Sequence, residues 1–187
     1  MQADGTSFIS FDDLVALLRT IFEQHDVPEG SAPLLAENCA AAERDGAHSH
    51  GVFRMPAYVS TLASGYVDAH AVPSVEQPLA ALVSVDACNG FAQVALEAAR
   101  ATALRIVREQ GLCAIAIRDS HHFGALWLDV EPFAAEGLVA MAWVNGIRRV
   151  APHGGTEPFY GTNPMAFAVP RLDREPLVFD QASATMA

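Results

Sequence analysis

Residues 44 to 58 read RDGAHSHGVFRMPAY and set Ser49, His50 and Arg54 within six positions of one another. A helix opening at Ser49 would use the serine as its N-cap and place His50 and Arg54 on one face, a turn apart. That spacing suits a definite chemistry. A guanidinium grips a carboxylate through two parallel hydrogen bonds, while an imidazole that titrates near neutrality passes a proton to the neighbouring atom. Ser49 would then orient the imidazole or relay its proton. The plainer alternative is a capping serine, a first-turn histidine and a surface cation, and spacing alone leaves both open.

Other histidines raise the question of metal. His48 and His50 form H-x-H, and His121 and His122 are adjacent. Zinc and iron sites recruit further ligands at set spacing, and neither H-E-x-x-H nor C-x-x-C occurs here. No metal is expected, and a metal-dependent hydrolase built on His48 and His50 is a distant alternative. The stretch DSHHFGALW places His121, His122 and Gly124 in a strand-to-helix turn, where free backbone amides favour anions such as phosphate; two histidines satisfying loop carbonyls would look the same. PHGGTEPFYGTNPMAF offers Thr162 and Asn163 as polar groups at a strand entrance, although Gly-Thr-Asn-Pro is also an ordinary turn. Neither G-x-G-x-x-G nor a G-x-x-x-x-G-K-[ST] loop is present, so a standard Rossmann or P-loop site has no support.

The elements that must position these residues follow from periodicity. Ser10 with Asp13 forms a capping pattern before Leu14, Leu17, Leu18, Ile21 and Phe22, which recur at helical spacing. Ser31 and Pro33 open a second helix whose face is Leu34, Leu35, Asn38, Cys39 and Ala42, closed by Gly46. A third helix is expected from Ser49. The segment SGYVDAHAVPS then reads as a linker, after which strand-like and helix-like runs alternate: ALVSVDA strand, FAQVALEAARATALRIVREQG helix, LCAIAI strand, LWLDVEPFAAEG helix, LVAMAWV strand, with MAFAVP and LVFD as further strands. The expected fold is α/β: a helical N-terminal region over 1–78 carrying the Ser-His-Arg group, then the first part of an α/β domain over 79–187. The ending LVFDQASATMA reads as a cut architecture, so a truncated chain is expected.

The 187 residues are about half apolar, enough for a sizeable core. Asp and Glu number 22 against 11 Lys and Arg, and the basic residues form no run. Nucleic acid and anionic membrane surfaces are therefore excluded as expected partners, and a small-molecule substrate is favoured. Cys39, Cys88 and Cys113 lie far apart in apolar settings, which suggests reduced, buried thiols and the cytoplasm. The N-terminus lacks the pattern of a secretion signal, and no apolar run could span a bilayer.

Taken together and in order, AERDGAHSHGVFRMPAYVSTLASGYVDA, DSHHFGALWLDVEPFAAEGLVA, PHGGTEPFYGTNPMAFAVP and LVFDQASATMA resemble the malate/L-lactate dehydrogenase-like family of NAD(P)-dependent oxidoreductases, most closely its Δ1-piperideine-2-carboxylate and Δ1-pyrroline-2-carboxylate reductases. The resemblance covers nearly the whole chain. It implies a three-layer, mixed-sheet, non-Rossmann nicotinamide-binding domain, incomplete here, in a homodimeric cytoplasmic enzyme. The implied reaction is NADPH-dependent (NADH possible) reduction of a cyclic imine carboxylate to L-pipecolate or L-proline. By resemblance His50 is the proton donor, Ser49 part of a charge relay, and Arg54 and Thr162 substrate contacts. His122, Phe123, Gly124, Ala125 and Leu126 match the family's cofactor loop, and Asp180, Gln181 and Ala182 a second cofactor contact. Where related chains commonly read D-M-A-T-S, this one has Asp180, Gln181, Ala182, Ser183 and Ala184. A long amide thus replaces methionine and one hydroxyl is lost. The family's relay aspartate and later cofactor segments are expected beyond Ala187, which would leave this chain inactive by itself. A sibling acting on malate, lactate or ureidoglycolate, or an inactive remnant, are the competing expectations.

Overall fold

A computed structural model describes residues 8–184. Packing divides the chain into two compact units, Met1–Gly124 and Ala125–Ala187. The boundary expected at 78/79 lies within the strand Ser74–Leu79 of the first unit.

The first unit begins with α1 (Phe11–Gln24), α2 (Ala32–Arg44) and α3 (Met55–Ala63). Ser10 caps α1 as its sequence implies, its Oγ accepting from the Asp13 amide at 3.1 Å and donating to Asp13 Oδ2 at 2.6 Å. Leu14, Leu18 and Phe22 repeat at helical spacing and are buried against Val27, Leu35, Cys39, Tyr58 and Phe91. Full burial of an aromatic such as Phe22 contributes on the order of 2–3 kcal/mol, so this cluster stabilises the arm substantially. Ser31 stands at the head of α2, but its side chain makes no cap bond. Pro33 occupies the first turn, where a missing N–H costs nothing.

The helix expected from Ser49 does not form. Two single 3₁₀ turns, His48–His50 and Val52–Arg54, come first, and the α-helix begins only at Met55. Pro56 supplies the reason. In a helix started at Ser49 its ring would meet the Val52 carbonyl and leave it without a donor; started at Met55, the proline falls harmlessly in the first turn. Ser49 is therefore no N-cap.

A mixed sheet completes this unit: β1 (Ser74–Leu79) runs antiparallel to β2 (Leu82–Asp86), and β3 (Ala114–Arg118) lies parallel to β2. Between β2 and β3 the chain crosses through α4 (Ala92–Gln110), which ends at Gly111 in the left-handed region. Val83 and Val85 bury against Ala95, Ala99 and Ile106 of α4, whose small residues let the helix lie close to the sheet. β1 begins at the last residue of the expected linker and runs through a stretch to which the sequence assigns no element, because it is polar and carries Pro78. It is an edge strand whose register slips between Glu76 and Leu79, the setting in which proline is tolerated.

In the second unit α5 (Trp127–Ala135) packs on the antiparallel sheet β4 (Ala140–Trp143), β5 (Met165–Arg171) and β6 (Arg174–Gln181). Ala166 and Ala168 are fully buried. Asp180, in register with Ala166, reaches the first turn of α5, which places the helix on that face. Met141, Trp143, Leu177 and Phe179 stand on the opposite face and are exposed. The result is the expected α/β architecture, and among the described residues the strands form two three-stranded sheets, one mixed and one antiparallel.

Among the described residues no helix is long and apolar enough to cross a membrane. The three cysteines are free, as expected, but only Cys39 is buried. Cys88 is exposed, because it sits in a turn at φ 52° just past the end of β2, beyond the reach of the core.

Candidate functional site

The Ser-His-Arg group is assembled by a backbone that kinks around Gly51. A Cβ on Gly51 would strike the Glu43 side chain and lie 2.9 Å from Glu43 Cα, so only glycine lets the 3₁₀ turns press against α2. Glu43 fastens the kink: Oε2 accepts from the Val52 amide at 2.9 Å and Oε1 pairs with His48 Nδ1 at 2.7 Å. His48 is thus engaged by a carboxylate on the rim. Among the described residues no group of three His, Cys, Asp or Glu side chains is placed to hold a metal.

Beyond this kink Ser49 Oγ lies 3.0 Å from His50 Nδ1, and Arg54 Nε donates to the Ser49 carbonyl at 2.8 Å. Hydroxyl, imidazole and guanidinium therefore converge, although through 3₁₀ turns and one shared carbonyl rather than along a helical face. A guanidinium tied through Nε still presents its two terminal nitrogens as a planar pair. The His50 ring stacks on that of His122, with centroids 6.0 Å apart and planes at 24°.

His122 comes from the turn after β3, where its φ is +37°. The neighbouring backbone is fixed on both sides: His121 N–H donates to Gly90 O at 2.8 Å, and the Ala92 amide donates to His121 O at 3.1 Å. The His122 carbonyl accepts from Gln93 Nε2 at 3.2 Å. Its ring Nδ1 receives the Gly124 amide at 3.2 Å and meets the Tyr58 hydroxyl at 2.8 Å. Burial, then the Arg54 cation, then the His50 and His121 imidazoles hold His122 down to about 3. Burial and Arg54 lower His121 as well. Burial pushes the Tyr58 phenol well above its ordinary value, with Arg54 opposing.

Two features of this cluster bear on a bound cofactor. Gly124, at φ +67°, has no room for a Cβ, which would sit 2.8 Å from Asn38 Oδ1 and 3.1 Å from Gln93 Nε2. Gln93 Oε1 is buried without a hydrogen-bond partner. An orphaned buried acceptor beside the His122–Gly124 turn fits a ligand bearing a donor, as a carboxamide does. Phe123, the remaining member of this stretch, is half-buried.

The second unit holds the other expected residues. Ala125 and Leu126 lead into α5 and are buried. The Asp180 Oδ2 accepts from the Trp127 amide at 3.1 Å, so the carboxylate caps α5. Asp129, in the first turn of that helix, is nearly fully buried, and burial reinforced by the Asp180 charge raises its carboxyl to about 8. The Thr162 carbonyl accepts from both the Ser183 amide, at 2.8 Å, and the Ser183 hydroxyl, at 2.6 Å. Gly146 donates to Asn163 Oδ1 at 2.9 Å, and Gly161 has no space for a side chain against the Gly146 carbonyl. The hydroxyl retained in the altered 180–184 stretch therefore locks the backbone of Thr162. Gln181 is exposed and Ala182 half-buried.

Sequence reasoning missed Glu43, Tyr58 and Gln93. Each had a faint signal: Glu43 precedes the Gly-rich kink, Tyr58 lies four residues after Arg54, and Gln93 is the polar residue on the otherwise alanine-lined buried face of α4.

Comparison with known proteins places this geometry in context. The family model for malate/L-lactate dehydrogenase matches residues 9–187. The chain is 56% identical over 182 residues to a Delta(1)-pyrroline-2-carboxylate/Delta(1)-piperideine-2-carboxylate reductase of Pseudomonas syringae pv. tomato, covering 97% of this chain and 53% of that protein. It is 54% identical over 190 residues to the protein of the same name from Pseudomonas putida, covering 100% of this chain and 56% of that one. The crystal structure of delta1-piperideine-2-carboxylate reductase from Pseudomonas syringae superposes with a TM-score of 0.93 at 55% identity, over 97% of this chain and 55% of that chain. The chain thus spans about half the length of the curated relatives it matches.

Proposed function

Since the chain belongs to the malate/L-lactate dehydrogenase family, we propose that the protein to which it contributes reduces a cyclic imine carboxylate, Δ1-piperideine-2-carboxylate or Δ1-pyrroline-2-carboxylate, with a nicotinamide cofactor, NADPH ahead of NADH. The observation that carries this reading is the convergence of Ser49 Oγ on His50 Nδ1 and of Arg54 on the Ser49 carbonyl. An imine carboxylate asks for two things, a grip on its carboxylate and a proton for its nitrogen. Arg54 provides the first and His50 the second.

The terminal nitrogens of Arg54 form the fork that holds the substrate carboxylate and sets the angle of the C=N bond. Thr162, with its backbone fixed by Ser183, is a second substrate contact. Ser49 Oγ engages His50 Nδ1, so the imidazole offers Nε2 to the substrate. A nicotinamide, when bound, supplies the hydride that the imine carbon accepts. His50 delivers the proton that ends on nitrogen, and the product is the cyclic secondary amine with its carboxylate unchanged.

His122, Phe123, Gly124, Ala125 and Leu126 are proposed to hold the cofactor, with Gln93 Oε1 as an acceptor for it. Asp180, Gln181 and Ala182 form its second contact. The reading also takes the protein as a cytoplasmic homodimer.

The test is a substrate panel on the intact protein, comparing both cyclic imines with 2-oxo acids, before and after His50→Ala. A ketone develops negative charge on oxygen that a donor must meet, whereas a protonated imine needs less. Loss of a general acid costs roughly 10²- to 10⁴-fold, and that loss is expected on 2-oxo acids, with a smaller one on imines. Equal losses on both classes remove His50 as proton donor. Turnover of 2-oxo acids alone would move the protein to the hydroxy-acid branch of its family.

A further inference from the structure

We infer that Tyr58 is a positioning residue: together with the Gly124 amide it fixes His122 as the neutral tautomer with its proton on Nε2, so that no second cationic ring stands against His50 in the stacked pair. The argument begins with a donor that has no choice. A backbone N–H can only donate, and Gly124 N–H points at His122 Nδ1 from 3.2 Å. Nδ1 therefore carries no proton. The Tyr58 hydroxyl, 2.8 Å from the same nitrogen, must then donate as well. A phenol that burial keeps protonated can always do so. With Nδ1 saturated as an acceptor, the ring proton sits on Nε2.

The surroundings show what this arrangement accomplishes. Arg54 of the 3₁₀ turn brings a fixed cation, His50 stacks at 6.0 Å, and His121 lies at 6.3 Å from His122. A second protonated imidazole beside His50 would repel the charge that His50 must carry to act as a donor. Tyr58 and Gly124 together exclude that state. The same two contacts leave Nε2–H as a hydrogen-bond donor of constant sign, suited to a carbonyl or anionic oxygen of a ligand. Tyr58 is itself rigid. Its ring packs edge-on to Phe91 at 5.8 Å and tilted to Phe22 at 5.9 Å, so the hydroxyl position is set by the core of the helical arm.

The tautomer stands on the geometry alone; its consequence for turnover rests on the reading of His50 as proton donor. The experiment separates the two. Long-range ¹⁵N–¹H NMR of the histidine rings in the intact protein reads the tautomer of His122 directly. The expected wild-type spectrum has Nε2 protonated and Nδ1 bare down to about pH 4. A proton on Nδ1 overturns the inference without any variant. Tyr58→Phe keeps the ring packing and removes one donor. In it the Gly124 amide alone holds Nδ1, so the Nδ1 resonance should move to that of a nitrogen accepting one hydrogen bond fewer, and the pH at which His122 gains a second proton should rise above its wild-type value. In imine reduction, the activity lost relative to wild type should deepen as the pH falls. An unchanged His122 spectrum in Tyr58→Phe, or a loss uniform across pH, overturns the role of Tyr58. A protein that shows the lock but reduces no imine overturns the functional reading and leaves the lock standing.

Discussion

Asp129→Asn should make the protein more stable, and by an amount that grows with pH. Asp129 is 8% exposed and faces Asp180, whose carboxylate is held at the Trp127 amide. Burial first and Asp180 second raise its carboxyl from 3.8 to about 8. The folded state therefore binds a proton that the unfolded state releases above about pH 4. Between those two values the folded chain holds more protons, so stability falls with rising pH, by about a factor of ten in the folding equilibrium per unit. The penalty is absent below about pH 4 and complete above about pH 8. It is at most on the order of 5 kcal/mol, from a gap of about four units. Asparagine keeps the shape and cannot titrate. Urea denaturation of both proteins at intervals from pH 4 to 9 should give curves that diverge steadily and become parallel above about pH 8. A constant offset across that range would mean that Asp129 is ionised throughout and that its burial carries no such proton linkage.

Two further outcomes test the site. Gly51→Ala forces the Glu43 carboxylate away from the Val52 amide, and overpacking of this kind costs about 1–3 kcal/mol, so the thermal midpoint should drop measurably; an unchanged midpoint would show that the kink has slack. Arg54→Lys replaces a fork by a point charge, and losing one charge-assisted hydrogen bond of about 1.5–3 kcal/mol should raise the KM for the imine carboxylate at least about tenfold with a smaller change in kcat; an unaltered KM would take Arg54 out of the carboxylate site.

Much of this structure was legible in the sequence because local signals and burial agreed. α1 announced itself through Ser10, Asp13 and the Leu14, Leu18, Phe22 stripe, and the core used those residues as written. The strands β2, β3 and β5 were apolar enough to be read as runs. The failures have one cause, in that a competing local constraint outweighed the pattern. Pro56 moved the helix start from Ser49 to Met55, and β1 hid behind Pro78 and a polar edge. At the site, Ser49, His50 and Arg54 were legible by residue type. Tyr58 and Gln93 were not, because their parts depend on contacts with a turn far along the chain: Tyr58 and His122 are 64 positions apart. No periodicity encodes such a pairing.

The outer face of the β4–β6 sheet carries a thermodynamic corollary. Met141, Trp143, Leu177 and Phe179 remain wet in the folded chain. Hydrocarbon that never leaves water adds little to the heat-capacity rise on unfolding, which comes from apolar surface newly exposed. This unit should therefore have a shallower, wider dome of stability against temperature than its share of aromatic and aliphatic residues would suggest.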